Sequence, residues 1–142
     1  MSLAKALTVA AYGESVASYR YRTLAEKVTS ETHRRVFTEM ADEEQGHYTT
    51  VLELMKHHFP GSDFILTPAD KDMVIVGPRM LEPTEQGSIR VVLEQIQESE
   101  RLTGRFYAAL AETSAMLELR PMFQEMADEC FEHAERLNAM AD

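Results

Sequence analysis

The sequence predicts an all-α protein: one four-helix bundle over residues 1–142, with helix pairs 2–58 and 88–140 joined by a crossover over 59–87. Three observations predict it. Along four long stretches, apolar residues recur at alternating steps of three and four, the period of a helix with one buried face. Residues 1–56 align without a gap on residues 87–142, at an offset of 86, with fifteen identities. The stretch between, HFPGSDFILTPADKDMVIVGPRMLEPTEQG, is rich in Pro, Gly and Asp and breaks the helical period.

The identities cluster, as chance matches would not. They include Ser2/Ser88, Glu14/Glu100, Tyr21/Tyr107, Phe37/Phe123 and His47/His133, and MADEEQGH at 40–47 answers MADECFEH at 126–133. An internal duplication of two helices per half follows.

The first helix is expected over 2–28, with Leu3, Leu7, Ala10, Glu14, Ala17, Tyr21, Leu24 and Val28 on its seam and Ser2 as N-cap. Thr29-Ser30 breaks and restarts the chain. The second helix, 31–58, carries Phe37, Met40, Glu44, His47, Val51 and Leu54. The third, 88–114, starts at a Ser88 cap and carries Ile89, Leu93, Ile96, Glu100, Thr103, Tyr107 and Leu110. The fourth, 120–140, has Pro121 in its first turn and carries Phe123, Met126, Cys130, His133, Leu137 and Met140. A helix of this length is roughly 40 Å long, and the linker spans that with residues to spare. Its apolar runs, Phe64–Leu66 and Met73–Val76, are expected to pack along the outside of the bundle.

A 44% apolar, 27% charged composition is that of a globular chain and excludes wholesale disorder. The net charge of −10 argues against nucleic acid and anionic membranes as partners and leaves multivalent cations as one. A lone cysteine builds no internal disulfide, so a cytoplasmic location is expected. No apolar run approaches the roughly 20 residues of a membrane span. Arg20, Arg22, Arg34 and Arg35 read as solvated helix faces. His33, His57 and His58 read as helix-end residues that suit the macrodipole.

Against this background the seam contains a contradiction. Glu14, Glu44, His47, Glu100, Cys130 and His133 occupy inward positions where Leu or Ile belongs, and burying an ionised carboxylate costs several kcal/mol. All six lie near the middle of their helices, the one level that antiparallel neighbours share. Glu44 and His47, at i and i+3, project from one helix face. A cation is the expected partner, and mixed oxygen and imidazole donors suit iron, manganese or zinc better than magnesium or calcium.

One Glu from each of two helices plus Glu-x-x-His from each of the other two is the ligand pattern of ferritin-like di-iron carboxylate proteins. Length, duplication and the E..H phrase together resemble the erythrin domain of rubrerythrins across essentially the whole chain. The resemblance implies a ferritin-like bundle holding two iron ions. It makes Glu14 and Glu100 terminal ligands, Glu44 a bridging carboxylate, and His47 and His133 the imidazole on each metal. Tyr21 and Tyr107 would stand just behind the ligands, although as residues they read first as core tyrosines whose hydroxyls find a partner rather than as redox groups. The implied activity is reduction of peroxide or dioxygen, or oxidation of Fe(II), with a role in oxidative stress; a homodimer is the simplest assembly.

Three departures from that pattern bear on function. Cys130 stands where the family's second E..H has glutamate. Thr103 stands where rubrerythrins carry an extra glutamate. A single cysteine cannot build a rubredoxin-type iron site, so an external electron donor is implied. Cys130 has several readings: a sulfur ligand in a contracted site, a neighbour to a water-filled gap, a break that leaves only the Glu44 side holding metal well, or a packed thiol. The alternative for the whole chain is a helical-bundle interaction or assembly protein with a degenerate site.

Overall fold

The computed structural model describes residues 1–77 and 88–140, and every regular element among them is helical. These elements are α1 (Leu3–Lys27), α2 (Glu31–His58), α3 (Pro68–Asp72), α4 (Ser88–Thr113) and α5 (Arg120–Met140), the last preceded by a 3-10 turn at Leu117–Leu119. The four long helices start and stop within a residue of where their end signals put them. Ser2 Oγ accepts from the Lys5 amide at 3.2 Å, and Ser30 Oγ from the His33 amide at 3.3 Å. Each satisfies one of the first-turn N–H groups that a helix leaves without partners. The side chains of Ser88 and Ile89, and with them the cap and the seam position, lie outside what is described, as do crossover residues 78–87. Among the described residues, no helix is long and apolar enough to cross a membrane.

The described chain falls into two compact units, Met1–Lys71, and Asp72–Gly77 together with residues 88–140. In the first, α1 packs along α2 and buries Leu7, Leu24, Phe37, Met40 and Val51. The Tyr21 ring stacks on Phe37 at 6.4 Å between centroids, 18° from parallel. In the second, α4 packs along α5 and buries Leu93, Ile96, Phe123, Met126 and Leu137. Tyr107 stacks on Phe123 at 6.4 Å and 21°, so the duplication extends to side-chain geometry.

Two arginines depart from the solvated reading. Arg20 is only 2% exposed. It belongs to a second buried stripe of α1, Ala6, Val9, Gly13, Val16 and Arg20, which runs beside the first at the same three-four spacing. Burial lowers the Arg20 pKa, opposed by the phenolic groups of Tyr12 and Tyr21. Arg34, on α2, reaches back to the end of α1. Its Nε donates to the Ala25 carbonyl at 3.2 Å, its Nη2 to Val28 at 2.9 Å, and its Nη1 pairs with Glu31 at 2.7 Å. Arg120 repeats the device 86 residues on, its Nε donating to the Ser114 carbonyl at 2.8 Å. Each arginine takes up carbonyls that the preceding helix leaves open at its C-terminus.

The crossover contains an element that periodicity did not reveal. Thr67 and Asp70 cap α3 reciprocally: the Thr67 amide donates to Asp70 Oδ2 at 2.9 Å, and the Asp70 amide to Thr67 Oγ1 at 3.1 Å. This is a capping box with Asp in the acidic place, readable in Thr67-Pro-Ala-Asp70. Asp70 also pairs with Lys5 at 3.3 Å, and Lys71 Nζ lies 5.4 Å from the Tyr12 ring centre, holding α3 to α1. Of the two apolar runs, Met73–Val76 buries Val74 and Ile75 as expected. Thr103 Oγ1 donates to the Val74 carbonyl at 3.1 Å, and the Val76 amide donates to Ser99 Oγ at 2.8 Å. Phe64–Leu66 behaves differently: Phe64 and Leu66 are half-buried, while Ile65 between them is 94% exposed. An extended backbone turns alternate side chains to opposite sides, so three consecutive apolar residues cannot all face inward.

Candidate metal centre

Glu14 lies one heptad from both Leu7 and Tyr21 on the buried stripe of α1, so the helix that buries those two buries the carboxylate as well. Glu44 and His47 face it from α2. His47 Nδ1 is 3.4 Å from Glu14 Oε2 and 3.7 Å from Glu44 Oε2. One donor atom from each of the three lies within 4.8 Å of the other two. Glu14 and Glu44 are each 1% exposed, and the His47 side chain 14%, so water reaches this cluster only at the imidazole.

Electrostatics follow from that burial. Desolvation raises the Glu14 pKa well above its ordinary 4.5, and the neighbouring Glu44 charge raises it further. Burial works against the charged form of His47, but hydrogen bonds and attraction from Glu14 and Glu44 outweigh it, and its pKa is pushed up to about 12. With no cation present, Glu14 and His47 therefore hold their protons to higher pH than a solvated carboxylate and imidazole do.

The second helix pair repeats the carboxylate–imidazole contact. His133 Nδ1 lies 3.3 Å from Glu100 Oε2, with both residues buried. Cys130, one turn before His133, is 1% exposed. Among the described residues, no three-donor group contains Cys130. Tyr21 and Tyr107 are fully buried with their rings stacked on Phe37 and Phe123. Thr103, at the family's extra-glutamate position, gives its hydroxyl to the crossover. The part that Thr103 and Ser99 play there was not foreseen, although two small hydroxyl residues four apart on one face of α4 were a usable signal.

The first cluster suits a divalent cation. Two carboxylates cancel its charge, an imidazole nitrogen supplies a further donor, and the donor atoms already lie close together in a dry interior. Oxygen with imidazole nitrogen is a donor set for iron, manganese or zinc. Neutralising two adjoining buried carboxylates would also remove the repulsion that now raises the Glu14 pKa.

Comparison with known proteins agrees. A solved structure of a hypothetical protein from Pyrococcus furiosus matches with a TM-score of 0.84 and 24% identity, over 99% of this chain and 89% of that one. At that identity the likeness shows the fold, the ferritin-like four-helix bundle of two helix pairs and a long crossover. No curated protein matches significantly. The rubrerythrin family model matches residues 5–86, more than half the chain and the part that holds Glu14, Glu44 and His47. On that match, the chain belongs to the rubrerythrin family.

Proposed function

We propose that the protein is a non-haem dinuclear metal protein, with iron as the native metal, that reduces peroxide or dioxygen. The observation that carries this reading is the convergence of Glu14, Glu44 and His47, two buried carboxylates and an imidazole with donor atoms within 4.8 Å of one another. Glu100 and His133 supply the corresponding carboxylate–imidazole pair in the second half.

When bound, two ferrous ions would supply the two electrons that split the O–O bond of peroxide, which leaves as two waters after taking up two protons. The protein's residues set the conditions. Glu14 and Glu44 balance charge, and burial keeps bulk water out. His47 must lose its proton to become a ligand, so loading the site displaces that proton. Its partly exposed ring marks the side from which a small oxidant reaches the cluster. The electrons return from a donor outside the bundle, since one cysteine among these residues cannot form a rubredoxin-type iron site. A homodimer in the cytoplasm is the working assembly.

Elemental analysis of protein purified without chelators, followed by anaerobic Fe(II) loading and separate exposure to peroxide and to air, tests this. Iron bound and oxidised much faster by peroxide supports peroxide reduction; oxidation by dioxygen alone points to ferroxidase activity. A protein that takes up no iron, manganese or zinc ends the proposal. Cys130 favours a second reading, in which the site has decayed and the bundle serves assembly. In that case Glu14→Ala and Glu100→Ala would leave metal content at zero and stability equal or higher.

A further inference from the structure

The second helix pair carries a groove that the candidate metal centre does not use. Its volume is about 560 Å³, and it is lined by Arg101 and Arg105 from α4 and by Phe131, Ala134, Glu135 and Asn138 from α5. Small-molecule sites span about 300–1,000 Å³. The Phe131 ring lies so close over Gly104 that a Cβ there would stand 2.7 Å from its Cε1, yet Phe131 stays 36% exposed. The ring is therefore an apolar surface that water still reaches.

The two sides of the groove differ in charge. On α4, Arg101 Nη1 is 3.6 Å from Glu98 Oε2 and Arg105 Nη2 is 3.4 Å from Glu98 Oε1. One carboxylate thus serves two guanidinium groups, and one positive charge is left over. Ion pairs as exposed as these are weak and exchange readily. On α5 stand the Glu135 carboxylate and the Asn138 amide. Among the described residues, no ion pair joins Glu135 to either arginine, so opposite charges flank the groove without closing it. The duplicated frame supplies neither the charges nor the space. At the offset of 86, Ser15 and Tyr19 answer the arginines, Thr49 answers Glu135, Ser18 answers Gly104 and Tyr48 answers Ala134. All five are uncharged, and the last two are larger than their counterparts.

We infer that this groove binds a small zwitterion with an apolar body, the chemistry of a free amino acid such as phenylalanine. Its carboxylate pairs with the guanidinium groups, whose planar forks match it. Its ammonium faces Glu135 and the side-chain oxygen of Asn138, and its apolar part lies on Phe131 and Ala134. A plain anion meets Glu135 and a chain of net charge −10, and a plain cation meets the arginines. The inference is independent of the metal-binding reading.

NMR titrations of the full-length protein, following backbone amides and arginine side chains, test it with three probes. These are phenylalanine, phenylpropanoate (which lacks the ammonium) and phenethylamine (which lacks the carboxylate). Saturable shifts at the groove residues are expected with phenylalanine, at an affinity about fivefold above that of either analogue. Arg101→Gln should weaken phenylalanine binding about fivefold and leave phenethylamine no weaker. Glu135→Gln should weaken phenylalanine to a similar extent and leave phenylpropanoate no weaker. Both side chains reach solvent, so neither change threatens the fold. No saturable shift at these residues, equal binding of an analogue with one charge, or phenylalanine binding unchanged in either variant would each overturn the zwitterion site, whatever the protein's metal content.

Discussion

At residue scale, Glu14 shows how far a binding site can oppose the stability of the fold that holds it. A glutamate with a raised folded-state pKa keeps a proton that the unfolded chain gives up. The metal-free fold therefore loses stability as pH climbs above the ordinary 4.5, and loses none below it. Glu14→Gln, of nearly the same shape, removes that cost. Metal-free Glu14→Gln is expected to unfold about 1–3 kcal/mol later than wild type at neutral pH, with the gain vanishing in acid and metal uptake impaired. Thermal melts across pH read the first two effects, and metal analysis the third. His47 has the opposite sign. Its raised pKa stabilises the metal-free fold fully below its ordinary 6.5, and that support declines as pH rises from there and is gone above about 12. Because His47 must deprotonate to bind, metal affinity should rise with pH, and loading should acidify a weakly buffered solution. Affinity that stays flat between about pH 6 and pH 8 would show that the protonated cluster is not the competitor.

At the scale of elements, the four long helices were legible because each carries both a period and an end signal: Ser2 and Ser30 at starts, and Pro121 in a first turn. The short α3 was missed because five residues are too few to show a period, although Thr67 and Asp70 announced its start. Arg20 and Arg34 were misread for one reason, that a charged residue off the main seam was assigned to solvent. Arg20 instead falls on a second small-residue stripe, and the long arm of Arg34 spans the gap between one helix and the next. Replacing Arg34 by Met keeps much of the arm and removes the bonds to Ala25 and Val28. It should destabilise the protein by about 1–2 kcal/mol in urea titrations. Arg120→Met should cost less, since its hydrogen bond to the Ser114 carbonyl replaces two such bonds at Arg34.

For the whole molecule, the duplication was the most informative signal, since a single offset of 86 aligned helices, aromatic stacks and Glu–His contacts alike. The candidate donors were legible as charges on an apolar seam. What Cys130 does in Glu44's place was not, because side-chain reach depends on coordinates rather than spacing. The crossover was half legible: its Met73–Val76 run is buried, but Ile65 shows that apolar composition alone does not say which way a side chain turns. The bond from the Val76 amide to Ser99 holds this segment to α4. In Ser99→Ala, hydrogen exchange at the Val76 amide is expected to accelerate, while amides in mid-α1 exchange as before. Equal protection in wild type and variant would mean that packing of Val74 and Ile75 alone secures the segment.

The buried sulfhydryl has a practical consequence. With only one in the chain and almost none of its surface reachable by solvent, alkylating reagents must wait for the packing around α5 to open. The labelling rate then clocks that opening directly, with no probe engineered in. A bound ion that clamps the helices together would slow the clock, so the same reaction reports occupancy in a protein that carries no tryptophan to do so by fluorescence.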